Sequence, residues 1–355
     1  MPNNVIYSKM VGTNDAMYGK FIHPIKMLIE NESNACEKNE PILKALFNIE
    51  KSNRYSETVI GETDFDVFQS VVEGAGAEND SIGQTFAKTI SHHTFMKEFT
   101  ITKEMADDSK IGIAANIKAK PAKFVRAYYK TRTKFACTAL INGTKTSCMF
   151  AKTNVDLTTG DNKPLFHKAH PYSTDKLAGK SQSNYFSAEF KTEGKLDAAK
   201  LEAVLNKAAN KLRNFKDENG ETMEYVADTL IIPSNRPEFE ALCKKVVGSE
   251  RTVGSNNNDI NTQYGNWTIV VLPGWEVTDA EGDRFMIMSS DANAQLSGSM
   301  FYNRVALDIN SWVDNHTRNL VWNGYCRIGV GFNTWKHMAL CIANDVSDAS
   351  NATAL

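Results

Sequence analysis

Residues 121–142, PAKFVRAYYKTRTKFACTALIN, constrain the fold more than any other stretch. Phe124, Tyr128, Phe135 and Ala139, with Ala127 and Ala136 nearby, recur at three- and four-residue spacing, as the apolar face of a helix does. Lys118, Lys120, Lys123, Arg126, Lys130, Arg132 and Lys134 cover the remainder. Residues 103–142 as a whole read as helical, and Pro121 divides the run, because proline suits a first helical turn. Asn142-Gly143 predicts the C-cap. At 1.5 Å per residue the second piece is about 30 Å long, enough to cross a domain. A helix with one apolar face that long needs a broad surface, such as a sheet, to lie on.

The preceding stretch is of another kind. Asp64–Val72 alternates polar and apolar side chains, as a half-exposed strand does. Glu73–Gly83 is a turn-rich tip, and Phe86–Thr102 is rich in Thr, Ile and Phe. Residues 56–102 therefore predict a long β-hairpin, which must lean on something else to be stable. Upstream, residues 22–50 predict two helical pieces, the second starting at Pro41 and running past Ile49. Downstream, Asp197–Phe215 is a clear helix, with Leu201, Val204, Leu205, Ala208, Leu212 and Phe215 on one face. A buried strand at 228–233, a helix at 237–247, an Asn-rich loop at 255–262 and strands at 267–272 and 284–289 follow. That order predicts a mixed α/β module over residues 150–295. The last 55 residues carry three Trp and read as strands.

A chain of 355 residues suggests about two domains. With 40 Lys+Arg against 42 Asp+Glu, it is neither a highly basic packaging protein nor a polyanionic disordered chain. The balance conceals two patches. Residues 28–108 hold 16 acidic and 7 basic residues, and residues 109–153 hold 10 basic and no acidic ones. Opposite patches suit one copy of a chain meeting another. No apolar run approaches the 18 or more residues of a membrane helix, and the first dozen residues lack a signal-peptide core. Six dispersed cysteines without a C-x-x-C predict reduced, mostly buried thiols in a cytoplasmic fold.

Candidate chemistry is sparse. His167 and His170, at i and i+3, could ligate zinc with Asp161 or Asp156 as a third ligand, but the flanking Pro164 and Pro171 predict a loop and a structural role. His92 and His93 lie on a strand and point to opposite faces, so they cannot chelate one ion. Gly74-Ala-Gly76 lacks the rest of a phosphate loop and predicts a flexible tip. Glu104, Asp107 and Asp108 complement a helix N-terminus. No nucleophile motif is present. The basic helix, with Phe124, Tyr128 and Tyr129 interleaved, has two readings. It could bind nucleic acid, or it could present cations to carboxylates of a neighbouring subunit, which the acidic 28–108 stretch favours.

Several segments, in order, carry a resemblance. His92-His-Thr-Phe-Met-Lys-Glu-Phe-Thr-Ile-Thr-Lys-Glu-Met-Ala-Asp-Asp resembles the hairpin-to-helix junction of tailed-phage major capsid proteins. Lys163-Pro-Leu-Phe-His-Lys-Ala-His-Pro and Thr229-Leu-Ile-Ile-Pro-Ser-Asn resemble interior segments of the same proteins. Phe301-Tyr-Asn-Arg-Val, Asp314-Asn-His-Thr and Cys326-Arg-Ile-Gly-Val-Gly-Phe-Asn-Thr-Trp resemble the ending of Mu-like major head subunits. The resemblance implies an α+β fold of the Hong Kong 97 type. Residues 1–55 would be an N-terminal arm and 56–102 an extended β-hairpin loop. Residues 103–145 would be a peripheral domain with a long spine helix, 146–300 an axial α/β domain, and 301–355 the return to the peripheral domain and tail.

It also implies a structural subunit, not an enzyme. Copies would self-assemble as pentamers and hexamers into an icosahedral head enclosing double-stranded DNA, made in the bacterial host cytoplasm and residing in the virion. Expected partners are further copies, a separate scaffolding protein (or else an already trimmed chain), a portal protein, a decoration protein and the packaged DNA, with no membrane. No catalytic, cofactor-binding or metal residue is expected. Lys88 and Lys97 lie in the loop region where some relatives form Lys–Asn cross-links, but no partner Asn or catalytic Glu is identifiable, so none is expected here. The alternatives are an encapsulin-like compartment of the same fold and a metal-dependent hydrolase using His167 and His170.

Overall fold

The computed structural model describes residues 5–10, 19–62, 68, 70–76, 84–107, 112–172, 179–251 and 260–355. In the N-terminal part, strand β1 (Val5–Met10) is followed by helices α1 (Gly19–Lys38) and α2 (Pro41–Leu46) and strand β2 (Asn48–Lys51). Strands β3 (Ser56–Glu62), β4 (Gln84–Ser91) and β5 (His93–Ile101) come next, then helices α3 (Lys103–Asp107) and α4 (Gly112–Ile141).

The long helix outgrows its expectation. Pro121 sits inside α4 instead of starting a second piece, and 30 residues give about 45 Å of helix. Proline removes one ladder hydrogen bond. The helix continues because both its flanks are packed: Pro121, Phe124, Val125, Tyr128, Tyr129, Phe135, Ala136, Ala139 and Leu140 are all buried. Gly143 does not adopt the left-handed C-cap conformation. Its lack of a side chain serves packing instead, since a Cβ there would lie 2.8 Å from the Phe166 ring. Ile49 leaves the helical stripe expected of it and joins β2.

The middle of the chain adds two short hairpins, β6 (Ser147–Phe150) with β7 (Thr153–Asp156) and β8 (His170–Pro171) with β9 (Ser181–Gln182). Strand β10 (Tyr185–Ala188) precedes the small hairpin β11 (Lys191–Thr192) and β12 (Lys195–Leu196). Helix α5 (Ala198–Arg213) starts at Asp197, whose carboxylate accepts from the Ala199 N–H. Strand β13 (Thr229–Pro233), helix α6 (Pro237–Gly248) and strands β14 (Thr268–Leu272) and β15 (Arg284–Met288) follow as the hydrophobic pattern predicts. The chain closes with α7 (Ser290–Gln295), β16 (Ser299–Val313), β17 (Leu320–Phe332), β18 (Met338–Ala343) and β19 (Thr353–Ala354).

Two sheets organise these elements. A six-stranded mixed sheet runs β14-β13-β15-β18-β10-β19, with α5 and α6 feeding the large core around it. Strands β13 and β15 are fully buried, as their unbroken apolar runs require. A five-stranded sheet runs β1-β16-β17-β5, and β2 pairs with β16 beyond β1. Under it, α1 and α4 close a second core of Ile22, Ile25, Ile29, Phe124, Tyr128, Leu307, Ile309 and Trp322. Gly324 is required there, because a Cβ would sit 2.5 Å from the Phe124 ring.

The expected hairpin is real but shorter. Its arms are β3 and β4, in register from Ser56↔Ser91 to Glu62↔Gln84. The expected strand over 64–72 is not its first arm: residues 70–72 are non-strand and exposed, while 63–67 and 69 lie outside the described residues. The single strand expected over 86–102 breaks at His92, and its second half, β5, leaves the hairpin to pair with β17. The C-terminal stretch also divides. Strands β16 and β17 join the five-stranded sheet, whereas β18 and β19 complete the six-stranded one.

Candidate assembly interface

The hairpin is held at its root and open beyond it. Ile90 lies over Gly331, where a Cβ would come within 2.8 Å, and forms a small core with Met300, Tyr302 and Val59. At the break between β4 and β5, the His92 ring lies over Gly329 and edge-on to Tyr302, with ring centroids 6.0 Å apart. Ser52 Oγ donates to Glu57 Oε1 at 2.7 Å and lies 2.9 Å from His92 Nε2. A hydroxyl has one proton, so His92 Nε2–H must be the donor in that second bond. Burial holds His92 below its usual pKa, reinforced by Arg327 nearby. Lys88 threads inward to reach Asp156 Oδ2 at 2.6 Å and Thr158 Oγ1 at 2.7 Å. Burial works to raise Asp156, but the hydrogen bonds from Lys88 and Thr158 hold its carboxyl below the ordinary range.

Away from the root, apolar side chains face solvent. Tyr55 is 80% exposed, Phe68 102% and Val72 82%, and Ile60 and Val71 are also exposed. Arg327 stacks over the Tyr55 ring at 5.2 Å. Gly74 has a positive φ and open space around it, as a turn at a tip requires. Between β3 and the loops at 159–161, 295–297 and 333–336 lies a cleft of about 310 Å³, lined also by a half-buried Lys336–Glu218 pair at 2.6 Å.

The basic helix is not matched as expected. Arg132 is buried, and its Nε meets Glu40 Oε1 at 3.2 Å while Nη1 reaches the Tyr128 hydroxyl and Asn303. Burial raises the Glu40 carboxyl, and Arg132 only partly offsets this. Arg126 pairs with Glu32 at 2.5 Å. Two carboxylates of the acidic stretch therefore pair with two cations of the helix within one chain, because α1, which carries Glu32, and the start of α2, which Glu40 precedes, both lie against α4. Lys123, Lys130 and Lys134 remain exposed.

Each histidine of the pair has its Nδ1 engaged within the chain. His170 is fully buried, stacks on Trp335 at 4.5 Å, and its Nδ1 meets Asp161 Oδ2 at 2.7 Å. Asp161 Oδ1 accepts from Thr159 Oγ1 and the Lys163 N–H, so its oxygens are committed. Burial works to raise Asp161, and the bonds from His170 and Thr159 hold it low. His167 Nδ1 accepts from the Ala169 N–H, and Asp156 is engaged with Lys88. No group of three metal-ligating side chains occurs among the described residues. His92 and His93 face opposite ways as expected, and His93 lies edge-on to Phe135. Lys97 is exposed on β5, unlike Lys88. Asp108 lies outside the described residues, and Thr102 Oγ1 caps α3 by accepting from the Met105 N–H. All six cysteines are free. Sequence reasoning missed the root contacts of Lys88 and His92. The only local signal was a lysine and a histidine inside a β-branched run.

No protein-family model matches the chain, and no curated protein matches it either. Solved structures do. A chain of Mycobacterium phage Patience is 13% identical, with 93% of this chain and 88% of that one covered and a TM-score of 0.47. The mature capsid of bacteriophage PhiM1 is 11% identical, covering 84% and 85%, at 0.47. A virus-like particle from Pyrococcus furiosus is 9% identical, covering 91% and 99%, at 0.46.

Proposed function

We propose that this chain is a structural subunit that self-assembles as pentamers and hexamers into the icosahedral head of a tailed phage, with the Hong Kong 97-type fold that the resemblance implies. One observation carries the reading: a hairpin fastened to the body at its root, with the loop that joins its arms, leaves Ile60, Phe68, Val71 and Val72 exposed to solvent. A two-stranded ribbon with bare apolar side chains is stable only against another surface. A neighbouring copy supplies one, and repetition around a closed ring makes weak contacts collectively strong.

The division into arm 1–55, extended loop 56–102, peripheral domain 103–145 with spine helix, axial domain 146–300, and return to the peripheral domain and tail over 301–355 belongs to the same proposal. So do a virion location, assembly in the host cytoplasm, the scaffolding, portal and decoration partners, and contact with packaged double-stranded DNA. No enzymatic step is assigned. A shell around a protein cargo is the alternative, and nucleic acid inside purified particles separates the two.

The test is negative-stain microscopy with solution mass, across a range of salt. Rings of five or six, tubes or shells are expected from the wild-type chain, and their loss from a Val71→Asp, Val72→Asp double variant. A wild-type protein that stays monomeric under every condition sinks the proposal.

A further inference from the structure

From Pro121 to Ile141 the long helix exposes four side chains, and all four are cations: Lys123, Arg126, Lys130 and Lys134. Spacings of three, four and four residues set them in one row along the helix. The row is about 16 Å long, with steps of about 4.5–6 Å. Arg126 is matched by Glu32, whereas Lys123, Lys130 and Lys134 form no ion pair among the described residues.

We propose that this row is where the subunit meets the phosphate backbone of double-stranded DNA, an inference that rests on the shell reading above. The occupant follows from chemistry. Cores of protein–protein interfaces are depleted in lysine and enriched in aromatic side chains, and this face exposes neither an aromatic nor an aliphatic residue over five turns. Interfaces with DNA are polar and positive, and a duplex presents one negative charge per ~1.7 Å, so a straight row of cations spans several phosphates. The carboxylates best placed to explain the cations, Glu32 and Glu40, are already spent within the chain. Three free lysines per subunit make a weak contact that many copies repeat.

The test uses the full chain and a 30-base-pair random-sequence duplex, followed by fluorescence anisotropy from 50 to 200 mM salt. Each neutralised phosphate contributes about 0.9 to the slope of log affinity against log salt. A Lys123→Gln, Lys130→Gln, Lys134→Gln variant should lose ~2.7 of that slope, so that wild-type affinity falls about 40-fold further than the variant's over this range. All three positions are exposed, so an unchanged circular-dichroism melt is expected. As a control, Lys207→Gln with Lys211→Gln alters exposed, unpaired cations on α5 and should leave the slope as in the wild type. The inference fails if wild type does not bind, if the triple variant keeps the slope, or if the α5 pair carries the loss. It fails equally if the triple variant keeps the slope but no longer forms rings, since the row would then be a subunit contact. Slope loss in a protein that forms no rings upholds the DNA surface and removes the shell.

Discussion

His337 shows how far a single side chain can be pushed by packing. It is fully buried, with Nε2 2.7 Å from Ser299 Oγ and its ring against Gly298. Burial lowers its pKa to about 3. In the unfolded chain the value is about 6.5. Below that pH the unfolded chain takes up a proton that the folded form refuses, so stability is lost as pH falls, by about 1.4 kcal/mol per unit from this group alone. His92, His93 and His167 are also lowered by burial and act in the same direction. Urea unfolding of wild type and His337→Gln at pH 6.5, 5.5 and 4.5 should give a variant whose stability falls less steeply, by about that amount per unit. Parallel curves would refute the assignment. Nothing local marked His337 among seven histidines, because its state depends on Gly298 and Ser299, some 40 residues away.

Elements behave likewise. Helix α5 and strand β13 lie where their spacing and caps put them, since those signals act within a few residues. The hairpin does not, because where β4 ends and β5 begins is decided by β17, over 200 residues later. Its root is fastened by Lys88, which is 7% exposed in its side chain, to Asp156, which is 61% exposed. Replacing Lys88 with Met leaves Asp156 half-exposed, and the cost of about 1 kcal/mol should fall on opening of the hairpin and not on global unfolding. The hairpin itself should open more readily. Hydrogen exchange should speed about five- to tenfold at amides 84–91, consistent with that loss, and stay unchanged in β16 and β17. Uniform acceleration across the chain would mean that Lys88 serves the whole core instead.

At the scale of the molecule, charge is the instructive case. Acidic and basic stretches that read as complementary surfaces of two copies meet in part inside one, through Arg126–Glu32 and Arg132–Glu40. Reversing Arg126 should therefore leave the subunit's melt almost unchanged, since its guanidinium is exposed, and rings should still form at low salt. Loss of rings in Arg126→Glu, with the melt unchanged, would return Arg126 to the subunit interface. Arg132 is different in kind: truncating it strands Glu40 in a buried site.

The sequence by itself determined the α/β segment from 198 to 288, the amphipathic long helix and the existence of a hairpin, because periodicity, turn residues and caps are local. Only the tertiary structure decided that α4 runs through Pro121, that β5 belongs to a sheet and not to the hairpin, that residues 338–355 complete the six-stranded sheet, and which charges are spent within the chain. Each of those outcomes depends on which distant surface a segment buries, and burial is a property of pairs of segments that neither one carries alone.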